Sequence, residues 1–404
     1  MKRRSIFLLL VVFTTMSAVA FATARVSTVV AQEEVSAKKA KKEKAVTIDN
    51  AQKLYSSKKI PAAVEAARAA MLNPKTEMNV STYLTLARLY VAASGTLYAK
   101  RFPNAEDTAF VVLQKALSLD SSETNRFFVD PEIEKLSVAL YERGGSEYED
   151  SNYSRAADFY EKAYNVIRLL DQTDTGALFN VALCAEKAGD SERAQKNYEL
   201  LANVNYRNLI VYQHLALLYE KADRKDDASK MLDISIKMFP DDSIAYLIAA
   251  NENLVMDNYN KVIEIGKASE AKFPVFPLMY VVMGASYQNA GDMDNAEVNY
   301  HKAYEQAPDD YEPNFRIGAF YVEKGNKVKT AAENLPLDAM EQYRAEKARS
   351  KDILGRAIPH LEKALALSPD NIAVIRTLRD LYNFMGDVEK ATEFTSKINT
   401  LEGQ

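Results

Sequence analysis

Three prolines, Pro240, Pro274 and Pro308, stand 34 residues apart, and the residues between them keep the same step. Ala194, Ala228, Val262 and Ala296 follow it, as do Ala182, Ala216, Ala250, Gly284 and Gly318, and the aromatics Tyr212, Tyr246 and Tyr280. A recurrence of this length means that each copy forms one supersecondary unit and buries its apolar face on its neighbours. Helix formers dominate each copy, and the apolar/polar alternation of a half-buried strand is hard to find, so the unit is a pair of helices. "AGD" (Ala290 to Asp292) lies between the two, its glycine suited to a C-terminal turn and its aspartate to the next helix start. Pro308 ends the second helix. Gly284 and Ala296 are small because the helices of one unit approach closely there, and Tyr280, Tyr287 and Tyr300 fill the surrounding space.

At these coordinated positions the chain resembles the tetratricopeptide repeat (TPR) family, over nearly all of residues 49–404. The resemblance implies an all-α fold class: an α-solenoid of about nine helix-turn-helix units forming a curved superhelix around one continuous core. The units begin near Asp49, Val80, Ser137, Thr175, Leu209, Ser243, Pro277, Tyr311 and Ile372. Two stretches break the period, one near 94–107 in the second unit and one near 326–352 in the eighth. The helical spacing of the latter predicts a long extension of that unit's second helix.

The chain has 404 residues, 48% of them hydrophobic, with only 13 Gly and 12 Pro, which argues against disorder. A formal charge of -5, mixed in sign along the chain, offers no basic surface for phosphates, so nucleic acid is not an expected partner. Residues 1–24 combine a basic start (Lys2 to Arg4), the apolar run "IFLLLVVF" and a small-residue A-x-A series, and read as a signal peptide. An uncleaved membrane anchor is the alternative, and the only route to a membrane. Residues 25–48 hold five lysines between Lys38 and Lys44 and read as a solvated linker rather than a membrane-surface contact. The lone Cys184 cannot form an internal disulfide and is expected as a small core residue. With the signal peptide, the repeat also resembles exported TPR proteins of Gram-negative cell envelopes, which implies a periplasmic or envelope location.

No catalytic, cofactor or metal constellation is apparent. His214, His301 and His360 lie on three different units, and no H-E-x-x-H, P-loop or G-x-G-x-x-G occurs. The "PDD" runs at Pro240 and Pro308 fall at junctions between units, where helix capping explains them.

The TPR resemblance implies that first helices display their second, fifth, ninth, twelfth and thirteenth residues on a concave face. Carried over to this chain, the partner-binding groove comprises Phe179, Leu183, Gln213, Leu217, Ile244, Leu247, Asn251, Leu278, Val281, Gln288, Asn289 and Phe315. Ile210, Ala285, Ala319, Val322 and Glu323 belong to the same positions. The strip is apolar with a few amides, which suits a protein or extended peptide segment; the chain's own linker or insertion could instead cover part of it. The fifth positions (Phe179, Gln213, Leu247, Val281, Phe315) lack the lysines by which chaperone-binding relatives grip a terminal carboxylate. Leu247, Val281 and Phe315 are expected as neighbouring exposed side chains. The functional expectation is a non-enzymatic exported scaffold; the alternatives are a self-assembling envelope protein or a membrane-anchored scaffold, and the sequence leaves the oligomeric state open.

Overall fold

The computed structural model describes residues 48–94, 98, 100–336 and 338–403. The expected signal peptide and all of the expected linker except Ile48 lie outside them, as do residues 95–97 and 99 of the first insertion. The described residues form eighteen α-helices and no strand. They fall into nine sequential pairs: α1 (Ile48–Ser56) with α2 (Ile60–Met71), α3 (Val80–Ala93) with α4 (Ala105–Leu119), α5 (Glu123–Glu149) with α6 (Tyr153–Ile167), and α7 (Thr175–Lys187) with α8 (Ser191–Asn203). These four pairs belong to one compact unit, Met1–Tyr206. A second unit, Arg207–Gln404, holds the other five. There α9 (Leu209–Lys221) pairs with α10 (Lys225–Met238), α11 (Ser243–Val255) with α12 (Tyr259–Glu270), and α13 (Pro277–Asn289) with α14 (Met293–Gln306). The last two pairs are α15 (Tyr311–Glu333) with α16 (Met340–Leu367), and α17 (Ile372–Met385) with α18 (Val388–Glu402).

The 34-residue period is visible in the backbone. Gly189, Asp223, Asp257 and Gly291, each 34 residues apart, all have positive φ, between 59° and 86°, at the turn inside a pair. Glycine takes this left-handed conformation freely, and aspartate is among the few other residues that tolerate it. Helix starts are capped as the sequence suggests: Asp174, Asp242 and Asp292 accept from the N–H groups of Ala177 (2.9 Å), Ile244 (2.9 Å) and Asn295 (3.1 Å). The second "PDD" differs. Asp310 stands at the start of α15 without a side-chain capping bond, and Asp309 pairs with Lys363 at 2.6 Å instead.

Small residues at the periodic positions are where helices meet. Ala194, Ala228, Val262 and Ala296 are fully buried, and a Cβ placed on Gly284 would lie 2.8 Å from the ring of Tyr300. Tyr300 is itself buried, its hydroxyl bonded to Gln288 at 2.7 Å, so its ring cannot step aside. Gly284→Leu should therefore overpack the α13–α14 contact and cost about 1–3 kcal/mol, read as a lower midpoint in urea. Cys184 is a core residue: it is buried beside Val181 and Tyr160, and burial pushes its thiol up to about 11.

Two stretches depart from the expected register. The third pair starts at Glu123 rather than near Ser137, because Ser122 caps the helix and Val129, Ile133, Leu136 and Leu140 form one buried face at helical spacing. In the eighth pair the extra residues do not go to the second helix alone. They lengthen both members, α15 to 23 residues and α16 to 28. Gly325 makes this possible: a Cβ there would lie 2.6 Å from Leu354, so only glycine lets the two helices stay in contact beyond the usual length. Ser350 Oγ closes the approach by donating to the Gly325 carbonyl at 2.9 Å. No described helix is long and apolar enough to cross a membrane.

Candidate functional site

The expected groove residues do not share one environment. In the first unit, Phe179 and Leu183 are half-buried, Phe179 with its ring 6.4 Å from that of Tyr206. In the second unit, Ile244 (59% exposed) and Leu278 (42%) stand out at the second position of their helices, and Ile210 (43%) joins them one unit earlier. Asn251 and Asn289 are exposed, while Gln213, Leu217, Leu247 and Phe315 are half-buried.

Two assignments need correction. Val281 is core, only 6% exposed; α13 packs against α11 on one side and α15 on the other, and a valine is too short to rise past that contact as leucine or phenylalanine can at the same position. Gln288 is not an open amide. It accepts from Tyr300 Oη and donates to Glu323, so it ties α13 to α14 and α15.

Consecutive first helices touch from α9 through α11 and α13 to α15, but among the described residues no comparable packing joins α15 to α17. After α15, at the second break in the period, the first helices part. The space between them is a cleft of about 670 Å³. From α15 it is lined by Phe315, Ala319, Val322, Glu323, Asn326, Lys327 and Thr330; Leu361 of α16 and Ala373, Val374 and Thr377 of α17 complete it. Beside its six apolar lining residues it carries one amide, Asn326, and two hydroxyls, Thr330 and Thr377, able to bond a peptide backbone. Its charges are matched internally: Lys327 lies 2.6 Å from Glu323. That hydrogen bond, opposed by burial and helped by Gln288, holds the Glu323 carboxyl below the usual range. Phe315 stacks on Tyr311, with centroids 5.5 Å apart and planes 10° from parallel, which fixes its ring at the cleft wall.

The sequence pointed to Phe315, Ala319, Val322 and Glu323. It missed Asn326, Lys327 and Thr330, which fall in the insertion, and Ala373, Val374 and Thr377 of α17, because first-helix positions were assigned only up to the eighth unit. The longer α15 and the renewed period at Ile372 are the signals that would have found them. The histidines also group differently: His301 and His360 both lie against Tyr321, with ring centroids 6.2 and 6.3 Å from it, despite belonging to different pairs. Elsewhere on the first helices, burial and the charge of Glu220 push the half-buried Glu252 above the usual carboxylate range. Among the described residues no three His, Cys, Asp or Glu side chains gather to hold a metal.

No protein-family model matches the chain. A segment of 93 residues is 32% identical to the Photosystem I assembly protein Ycf3 of Prochlorococcus marinus strains NATL1A and NATL2A, covering 22% of this chain and 52% of each relative. The chain thus spans about half the length of the curated relatives it matches. Among solved structures, the MamA protein is similar over 48% of this chain and 90% of its own, at 19% identity and a TM-score of 0.34. YrrB, described as a TPR protein with an unusual peptide-binding site, is similar over 50% of this chain and 95% of its own, at 13% identity and a TM-score of 0.35. With a 34-residue period, nine helix pairs among the described residues and buried, mostly small residues at the periodic contact positions, the described residues have the all-α helix-pair fold of tetratricopeptide repeats.

Proposed function

We propose that the chain is a non-enzymatic scaffold that holds a protein partner, and that the cleft between α15 and α17 takes an apolar, uncharged segment of it. The cleft carries this reading. It is open, six of its eleven lining residues are apolar, its one ion pair is internal, and it lies where the packing of first helices from α9 to α15 is interrupted. A segment bound there would bury apolar surface on Phe315, Val322 and Ala373 without having to neutralise a charge. The exposed Ile210, Ile244 and Leu278 offer a further apolar ladder on the same unit. Crosslinking in intact cells followed by purification of the chain tests the reading. Recovery of one discrete protein partner supports it, and recovery of the chain's own copies alone would favour self-assembly.

The scaffold is exported in this proposal, to the periplasm or envelope of a Gram-negative cell. The basic start, apolar run and A-x-A series of residues 1–24 support that. Mature protein from the envelope fraction should begin near Phe21, Thr23 or Arg25, as read by N-terminal sequencing. Met1 retained on membrane-bound protein would mean an anchor instead.

A further inference from the structure

We propose that the contact between α14 and the α15–α16 hairpin is an acid-sensitive latch, closed while His360 is neutral and loosened when it takes a proton. The latch is a short chain of side chains centred on Tyr321. Its hydroxyl donates to Glu297 of α14 at 3.0 Å. Having one hydrogen to give, Tyr321 must accept from His301 Nε2, 2.8 Å away, which puts a proton on that nitrogen. Lys324 completes the network by pairing with Glu297. His360 of α16 lies over the ring of Tyr321 and meets the edge of Tyr304 of α14, 4.7 Å between centroids, so it is held between the two pairs by rings.

The charged groups around His360 do not favour a cation there. From α14 come His301 and Glu297, and Glu297 is already engaged by Lys324 and Tyr321. Burial pushes Glu297 up, but the Lys324 and Tyr321 hydrogen bonds and the charge of Lys324 outweigh it, and the carboxyl lies below its usual range. From α15 comes Lys324, and on α16 itself Arg356 pairs with Asp352. Towards α17 and α18, Glu362 is taken by Tyr382 and Lys390. A charged imidazole over a tyrosine face gains some cation–π attraction, but burial and the neighbouring His301 outweigh it and hold His360 below its ordinary value.

The linkage has a definite sign. The unfolded chain takes the proton near pH 6.5 and the folded chain only below that, so the latch is at full strength above about 6.5 and weakens as pH falls towards the depressed folded value. Asp and Glu side chains stay ionised over most of this window, so histidines dominate the change. Because α15 carries Tyr321 and Lys324 on one side and the cleft residues Val322 and Asn326 next to them, loosening the latch frees one wall of the cleft.

Hydrogen exchange of the full chain at pH 7.5 and 5.0, with intrinsic rates divided out, tests the latch without any partner and apart from the binding role. Protection in 293–306, 311–333 and 340–367 should drop several-fold in acid, while 243–270 changes little. His360→Phe, which keeps a ring but cannot charge, should remove that drop. Equal protection of the wild-type chain at both pH values would overturn the proposal, as would an undiminished acid effect in the variant. Should His360→Phe not fold, the wild-type comparison stands, and an NMR titration midpoint for His360 at or above that of a free histidine would equally refute it.

Discussion

Val281→Glu should destabilise the second unit by about 3 kcal/mol or more, because it forces a carboxylate into a core position that is 6% exposed. For a unit of this size that corresponds to a fall in Tm of roughly 6–12 °C. The neighbours make the cost hard to avoid: Val282, Met283 and Met279 on the same helix are also buried, so α13 has little freedom to rotate the new side chain outward. Ile244→Glu is the matched control. Ile244 is 59% exposed on the preceding first helix, and the change there should cost within about 0.5 kcal/mol. Thermal melts of the two variants decide the register of α13. A stable Val281→Glu beside an unfolded Ile244→Glu would invert it.

The second large effect concerns binding. Ala319 and Ala373 face the cleft from α15 and α17, half-buried and exposed respectively. Changing both to Glu places two carboxylates across the opening, where the only matched pair is Glu323 with Lys327. Folding should be little changed, since neither side chain fills the core. Partner affinity should fall by about 2–4 kcal/mol, roughly thirty-fold or more, because an apolar segment would have to desolvate both charges or leave the cleft. Titration with the captured partner, alongside a melting curve, separates the two quantities. Loss of stability at unchanged affinity would count against the cleft.

What could be read in advance, and what could not, follows from how far each feature depends on local spacing. The period set by Pro240, Pro274 and Pro308, the small contacts at Gly284 and Ala296, and the left-handed turn at Gly291 are all consequences of residues close in sequence, and each stands where expected. Exposure is different. Whether a fifth-position residue reaches the surface depends on how tightly its helix is held by the helices on either side, which is why Val281 is buried while Leu247 and Phe315 are only half so. Gln288 looked like a free amide because its partners, Tyr300 and Glu323, are 12 and 35 residues away. The cleft was half visible for the same reason: its α15 wall follows the repeat, but the parting from α17 comes from an insertion that two helices share. His301 and His360 were kept apart by counting units, whereas neighbouring units pack their histidines around one tyrosine.

The central claim, that the parted first helices are where a partner sits, is tested most directly by placing a photocrosslinking residue at single sites in living cells. Ala373, exposed on α17, reports on the cleft; Val298, 52% exposed on the second helix α14, reports on surface away from it. Irradiation should give a discrete adduct with another protein from position 373 and none from position 298. The same adduct from both sites, or one from 298 alone, would contradict the assignment of the cleft as the binding site.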